Sequence, residues 1–197
     1  MNTRLPLFVN LAGRRVLVVG GGRAAERKLP ALLDAGAVVT LIAPEVLESV
    51  RRLLHTSPNG ELLRRCARVQ DVTSDYALFF PLTDDRELNE RLSVAARDAK
   101  VWVAGSTSPD DADFHLGAVV DRGPVRLAIS TSGASPALAG LLAQVLRQLL
   151  PESRDGDLTA LRRERHLIRS ALDTPARRTA LVAQAVQFLE DRPQESN

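Results

Sequence analysis

Arg15-Val16-Leu17-Val18-Val19-Gly20-Gly21-Gly22-Arg23-Ala24-Ala25 is the stretch on which the fold of this chain turns. Its first five residues are nearly all apolar, as a parallel strand covered on both faces requires. Glycine ends that run. From Ala24 to Ala35 the apolar positions Ala24, Ala25, Leu29, Leu32 and Leu33 recur at helical spacing, and Gly36 is placed as a C-terminal stop. Val38-Val39-Thr40-Leu41-Ile42-Ala43 supplies a second, β-branched strand, so the segment reads as a βαβ unit with a right-handed crossover. Within it, Gly20 to Ala25 matches G-x-G-x-x-A, the dinucleotide fingerprint in its alanine-ended form. Gly20 permits the turn, Gly22 lets the backbone approach a pyrophosphate, and Ala25 keeps helix and strand close, with the diphosphate at the helix N-terminus. The competing reading is a glycine turn that serves packing alone.

Outward from this unit the alternation continues. Val46 to Leu54 reads as an arginine-bearing helix, and Leu62 to Val69 holds an edge strand. Ala77-Leu78-Phe79-Phe80-Pro81-Leu82 is an apolar strand in which Pro81 is tolerable near the end. Asp84 as N-cap with Glu87 three residues on resembles a capping box for a helix over 85–99. Val101-Trp102-Val103 is a further strand, so residues 1–113 form a Rossmann-type parallel sheet of the α/β class. Two β-rich runs follow, Phe114 to Val120 and Val125 to Ser130, around Asp121-Arg122-Gly123-Pro124. The second alternates apolar and polar residues, which predicts one polar face. Ser135 caps a helix with Pro136 at its first position and an apolar stripe of Leu138, Leu141, Leu142, Val145, Leu146 and Leu149. That stripe suits a dimer core or ordinary packing. Residues 114–150 thus form a β-hairpin plus helix segment, and 151–197 a small helical domain with helices near 157–172 and 175–191 and a disordered end over 192–197.

Composition narrows the classes. The 197 residues are 45% hydrophobic, enough for a core without staples. One cysteine, Cys66, excludes an intrachain disulfide and fits a reducing compartment, so a cytoplasmic location is expected. Neither a secretory apolar region nor a run of the roughly 20 apolar residues of a membrane span is present in the sequence. A formal charge of +2 and an aromatic fraction of 4% disfavour nucleic acid. His55, His115 and His166 are scattered and match no metal-ligand spacing, so no metal site is expected.

The order Leu5-Pro6-Leu7-Phe8, Val18-Val19-Gly20-Gly21-Gly22-Arg23-Ala24-Ala25-Glu26-Arg27-Lys28, Leu33-Asp34-Ala35-Gly36-Ala37, Thr83-Asp84-Asp85, Asn89, Val120-Asp121-Arg122-Gly123-Pro124 and Ile129-Ser130-Thr131-Ser132-Gly133-Ala134-Ser135-Pro136 resembles the precorrin-2 dehydrogenase / sirohydrochlorin ferrochelatase family, which includes the N-terminal half of siroheme synthases. The resemblance covers about residues 4–150. It implies NAD-dependent oxidation of precorrin-2 to sirohydrochlorin, a homodimer in which the middle segment exchanges between protomers, and an acidic tetrapyrrole bound near the nicotinamide. No methyltransferase half follows, so a stand-alone dehydrogenase is expected. The implied cofactor-binding set is Gly20, Gly22, Arg23, Ala24 and Ala25, with Pro44, Glu45, Thr83 and Asp84. Glu45, placed just past the second strand, either reaches the ribose 2′-hydroxyl, which favours NAD over NADP, or caps a surface helix.

The implied substrate-binding residues are Asn89, Ser130, Thr131, Ser132 and Ser135. Hydroxyls and backbone N–H groups at a helix start suit carboxylates, though the same loop can be a simple cap. Arg162, Arg163, Arg165, His166 and Arg169 add cationic attraction or line a solvated helix face. One departure stands out. Where many family members have a catalytic aspartate, this chain has Thr107, in Ala104-Gly105-Ser106-Thr107-Ser108-Pro109. Threonine cannot act as a base at ordinary pH, so Asp110, Asp113 and His115 become candidates and iron insertion is doubtful. The alternatives are a non-catalytic NAD/tetrapyrrole-binding carrier or sensor and, less well supported, a Rossmann dehydrogenase for another small acid.

Overall fold

Val16 and Val18 lie in one buried cluster and Leu17 and Val19 in another, which is how a strand sandwiched between two helical layers must divide its side chains. This strand, β1 (Arg15–Gly21), is followed by α1 (Arg23–Asp34), β2 (Val38–Val46), α2 (Glu48–Thr56), β3 (Gly60–Leu63), a 3-10 turn (Val69–Asp71), β4 (Tyr76–Pro81), α3 (Arg86–Asp98) and β5 (Trp102–Val103). The computed structural model describes residues 5–105, 112–123, 125–150, 156, 175–176, 179–183 and 186. Its contacts divide the chain into two units, Met1–Leu116 and Gly117–Asn197.

In the first unit five parallel strands run in the order β3-β2-β1-β4-β5. Leu29 and Leu32 of α1 and Val50 and Leu54 of α2 cover one face, while Leu92 and Ala96 of α3 cover the other. Phe80 serves the first cluster and its neighbour Phe79 the second. The sheet grows outward from β1 to β3 and then resumes on the opposite side with β4. In such a doubly wound sheet the crevice beyond the carboxyl ends of β1 and β4 is the place for a ligand.

Several elements differ from the sequence reading in physically instructive ways. β2 continues to Val46, because a register shift between Val19 and Gly21 lets Gly21 pair with Val46; Pro44 and Glu45 therefore lie within the strand end and not past it. The cap of α3 is Asp85, not Asp84: its carboxylate accepts from the Leu88 N–H at 2.9 Å, and only at that position does the side chain meet the first helical turn. β3 ends at Leu63, after which the Arg65 guanidinium grips Asp71 at 2.6 and 2.7 Å. Asp71 also accepts from the Arg68 N–H, and its carboxyl is held below the usual carboxylate range, chiefly by the hydrogen bond from Arg65. α1 stops as expected, with Gly36 at φ 76°, whereas α3 makes the same turn with Lys100 at φ 61°.

In the second unit β6 (Ala118–Arg122) and β7 (Val125–Ile129) pair antiparallel, followed by α4 (Pro136–Leu149). Asp121 and Arg122, expected in the connection, are in the ladder opposite Arg126 and Val125; Asp121 and Arg126 form a cross-strand ion pair, which favours continuing the strand. Phe114, expected to open the first strand of this hairpin, instead bridges to Ala104 in the first unit and meets Phe80 edge-on at 5.4 Å. Ser135 caps α4 by accepting from the Leu138 N–H at 3.1 Å. Ala139 and Ala143 are buried, while Leu138, Leu141, Leu142, Val145 and Leu149 are exposed in the single chain. Residues 156, 175–176, 179–183 and 186 are helical; the rest of the two expected C-terminal helices and the end over 192–197 lie outside the described residues. Among the described residues, no helix is long and apolar enough to cross a membrane.

Candidate functional site

The glycine loop is shaped by backbone on two sides. Gly20 has φ 110°, and a Cβ there would stand 2.4 Å from the Leu82 carbonyl oxygen and 2.9 Å from the Thr83 nitrogen. Only glycine tolerates that conformation and that approach together. Gly21 is equally confined, since a Cβ would lie 2.4 Å from Val46 Cγ1 and 2.7 Å from the Glu45 carbonyl oxygen. The fingerprint treats this middle position as variable, so its requirement was missed; the run of three glycines was the available signal. Gly22 differs from both, being exposed, with nothing within 4 Å of where a Cβ would be.

Gly22 is also the N-cap of α1, and no side chain caps that helix. The N–H groups of the first turn are thus left to an external acceptor, the arrangement that suits a phosphate at a helix N-terminus. Ala25 is fully buried and keeps α1 close to β1. Arg23 is exposed and Ala24 partly so. The first-turn carboxylate, Glu26, accepts a hydrogen bond from Ser49 of α2. Burial, helped by the charge of Arg27, lowers the Lys28 pKa below the ordinary lysine value.

Two strand ends border the loop. On the β2 side Pro44 and Glu45 are exposed, the Leu47 N–H donates to the Gly21 carbonyl at 3.0 Å, and Leu47 rather than Glu45 is the N-cap of α2. On the β4 side the Leu82 N–H donates to the Val19 carbonyl at 2.7 Å, followed by Thr83 and the exposed Asp84. Gly20, Gly22, Arg23, Ala24, Ala25, Pro44, Glu45, Thr83 and Asp84 are therefore gathered at one end of the sheet. Asn89 lies beneath them, 3% exposed, with its amide turned to Thr83.

Beyond β5 the chain leaves and returns to the same strand. The Asp113 N–H donates to the Val103 carbonyl at 3.0 Å, and the Asp113 carboxylate accepts from the Val103 N–H at 2.8 Å, with Arg97 at 4.0 Å. Asp113 is thereby occupied in holding the return segment to β5. His115, two residues on, is exposed. Thr107 and Asp110 lie outside the described residues, as do Arg162, Arg163, Arg165, His166 and Arg169.

In the second unit the loop before α4 is braced by its own hydroxyls. Thr131 Oγ1 donates to the Ser135 carbonyl at 2.9 Å and accepts from the Ser135 N–H at 3.2 Å, and Ser130 Oγ accepts from the Ser132 N–H at 3.1 Å. Ser132 and Gly133 have φ 52° and 84°. Two successive left-handed residues turn the chain sharply into the helix, and Ser135 serves as its cap.

Residues 7–118 match the family model described as "Putative NAD(P)-binding". The siroheme synthase of Methylococcus capsulatus is 40% identical over 177 residues, which is 88% of this chain and 36% of that protein. The siroheme synthase of Tolumonas auensis is 38% identical over 150 residues, 75% of this chain and 31% of that protein. The chain thus spans about a third of the length of the curated relatives it matches. Among solved structures, "SirC, precorrin-2 dehydrogenase" superposes with a TM-score of 0.72 at 25% identity, covering 96% of this chain and 100% of that one.

Proposed function

This chain belongs to the NAD(P)-binding family that includes siroheme synthases and the precorrin-2 dehydrogenase SirC, and we propose that it oxidises precorrin-2 to sirohydrochlorin with NAD as the acceptor. The observation that carries the reading is the likeness to SirC over the whole of that chain, with the glycine loop intact. The cofactor fits the residues present: the open space at Gly22 and the uncapped start of α1 form a cradle for a diphosphate. Glu45, exposed at the end of β2, is assigned to the ribose 2′-hydroxyl, which favours NAD over NADP. Arg23, Ala24, Pro44, Thr83 and Asp84 complete the cofactor's surroundings.

NAD, when bound, supplies the hydride acceptor. The macrocycle gives up one hydride and one proton, and the chain must receive that proton. Thr107, Asp113 and His115 are the candidates by position in sequence. A threonine hydroxyl is far too weak a base, and the Asp113 carboxylate accepts from the Val103 N–H, so the proton must pass to Asp113 with that bond in place or to His115. Ser130, Thr131, Ser132 and Ser135 are assigned to the carboxylates of the acidic tetrapyrrole, although the N–H groups of Ser132, Ala134 and Ser135 are bonded within the loop, so such binding would have to exchange those bonds. The exposed leucines and Val145 of α4 support assembly as a homodimer, since a stripe of that size is unfavourable in water. The three-part organisation into residues 1–113, 114–150 and 151–197 and a cytoplasmic location belong to the same proposal. Iron insertion, which must displace two pyrrole protons, is proposed to be weak or absent because of Thr107.

That threonine also favours a second reading, a carrier or sensor that binds NAD and tetrapyrrole without turnover. Anaerobic incubation with enzymatically generated precorrin-2 and either NAD or NADP, followed by the visible spectrum of sirohydrochlorin, separates the two. Formation with NAD supports the dehydrogenase, and its absence despite NADH binding supports the carrier. In the latter case Thr107→Asp is expected to restore turnover.

A further inference from the structure

Asn89 is a buried polar side chain, and both polar atoms of its amide have partners within the protein. Oδ1 accepts from Thr83 Oγ1 at 2.8 Å and from the Thr83 N–H at 3.3 Å, while Nδ2 donates to the Thr83 carbonyl at 2.8 Å. One side chain therefore holds both peptide groups of Thr83, much as a neighbouring strand would, at the point where β4 has ended. Asn89 is itself fixed by α3: its N–H donates to the Asp85 carbonyl, and its carbonyl accepts from Ser93 Oγ at 2.7 Å. The Leu82–Thr83 peptide that it holds is also the group against which Gly20 lies, with the Thr83 nitrogen 2.9 Å and the Leu82 oxygen 2.4 Å from a hypothetical Cβ. A continuous set of contacts thus runs from α3 through Asn89 and Thr83 to the glycine loop.

We infer that Asn89 is a positioning residue of the dinucleotide site, acting through the Thr83 peptide to fix the glycine loop, and that it does not bind the tetrapyrrole. The inference rests on the dinucleotide reading of that loop. Loss of the amide would leave the half-buried Thr83 N–H and carbonyl without their protein partner and loosen the chain at the end of β4. The loop would then sample conformations that do not receive a diphosphate, and affinity falls in proportion to the competent fraction.

The test uses the full chain and four substitutions, Asn89→Ala, Asn89→Asp, Thr83→Val and Thr83→Ser, with NADH binding measured by titration calorimetry and folding by thermal melts. Asn89→Ala and Asn89→Asp are expected to weaken NADH binding about tenfold, roughly 1.4 kcal/mol. Asn89→Asp keeps the size and one acceptor while losing the donor to the Thr83 carbonyl. Thr83→Val is expected to weaken binding and Thr83→Ser to retain it, and Asn89→Ala combined with Thr83→Val should cost less than the two single losses together, as residues in one network do. Folded Asn89 variants that bind NADH like the unmodified chain, with only a lower melting temperature, would overturn the inference. Failure of the unmodified chain to bind NADH would instead overturn the dinucleotide reading on which it depends.

Discussion

Replacing Gly20 and Gly22 separately by alanine should dissociate stability from cofactor binding. At Gly20 the added methyl meets the Leu82 carbonyl at 2.4 Å in a backbone with φ 110°. Strain at such a φ costs about 1–3 kcal/mol and overpacking against backbone a further 1–3 kcal/mol or so. At roughly 4–8 °C per kcal/mol for a domain of about 100 residues, Gly20→Ala should lower the melting temperature by at least about 10 °C. At Gly22 the φ is −87° and the methyl meets nothing within 4 Å. Alanine is a poorer N-cap than glycine by under about 1 kcal/mol, and the stiffer unfolded chain returns about 0.4–1 kcal/mol. These nearly cancel, so Gly22→Ala should melt within about 3 °C of the unmodified chain. Its NADH affinity should nevertheless fall on the order of tenfold or more, since the open space is where a diphosphate would press on the backbone. Thermal melts by circular dichroism and NADH titration on both variants decide the matter. Equal destabilisation by the two substitutions, or unchanged NADH binding by Gly22→Ala, would refute the reasoning.

Asp71 has a folded-state pKa below its unfolded value, so its ion pair with Arg65 contributes stability at neutral pH that is lost as pH falls through the folded pKa. The melting-temperature gap between the unmodified chain and Asp71→Asn should therefore be present at pH 7 and shrink below about pH 4, the ordinary carboxylate range. Lys100 closes α3 at φ 61°, a conformation that glycine adopts without strain. Lys100→Gly is expected to raise stability by about 0.5–1 kcal/mol, read from the urea midpoint at unchanged slope.

The sequence shows most clearly what repeats. The apolar run of β1, the helical spacing of α1 and the Ser135-Pro136 start of α4 are periodic or positional signals, and each appears in the structure where expected. Features that depend on pairing across the chain left weaker traces. The continuation of β2 to Val46 needs the register shift at Gly20, and the participation of Asp121 and Arg122 in β6 needs their partners in β7. Asp84 and Asp85 offer nearly the same capping pattern, and the hydrogen bond to Leu88 distinguishes them. The hold of Asn89 on Thr83 joins residues six apart across a strand end and a helix, a relation that no periodicity encodes. The glycine loop was legible because Gly20-Gly21-Gly22 stands directly between an apolar strand and a helix, although what confines Gly20 and Gly21 is backbone from β4 and β2 and Gly22 is left open. The proton acceptor was not, because that role depends on the arrangement of side chains around a substrate.

The central claim is tested most directly by mixing the purified chain anaerobically with precorrin-2 and NAD and following NADH and sirohydrochlorin together. The account predicts their appearance in equal amounts, dependent on the chain and abolished or much slowed by Gly22→Ala. NADH binding without formation of either product would contradict it.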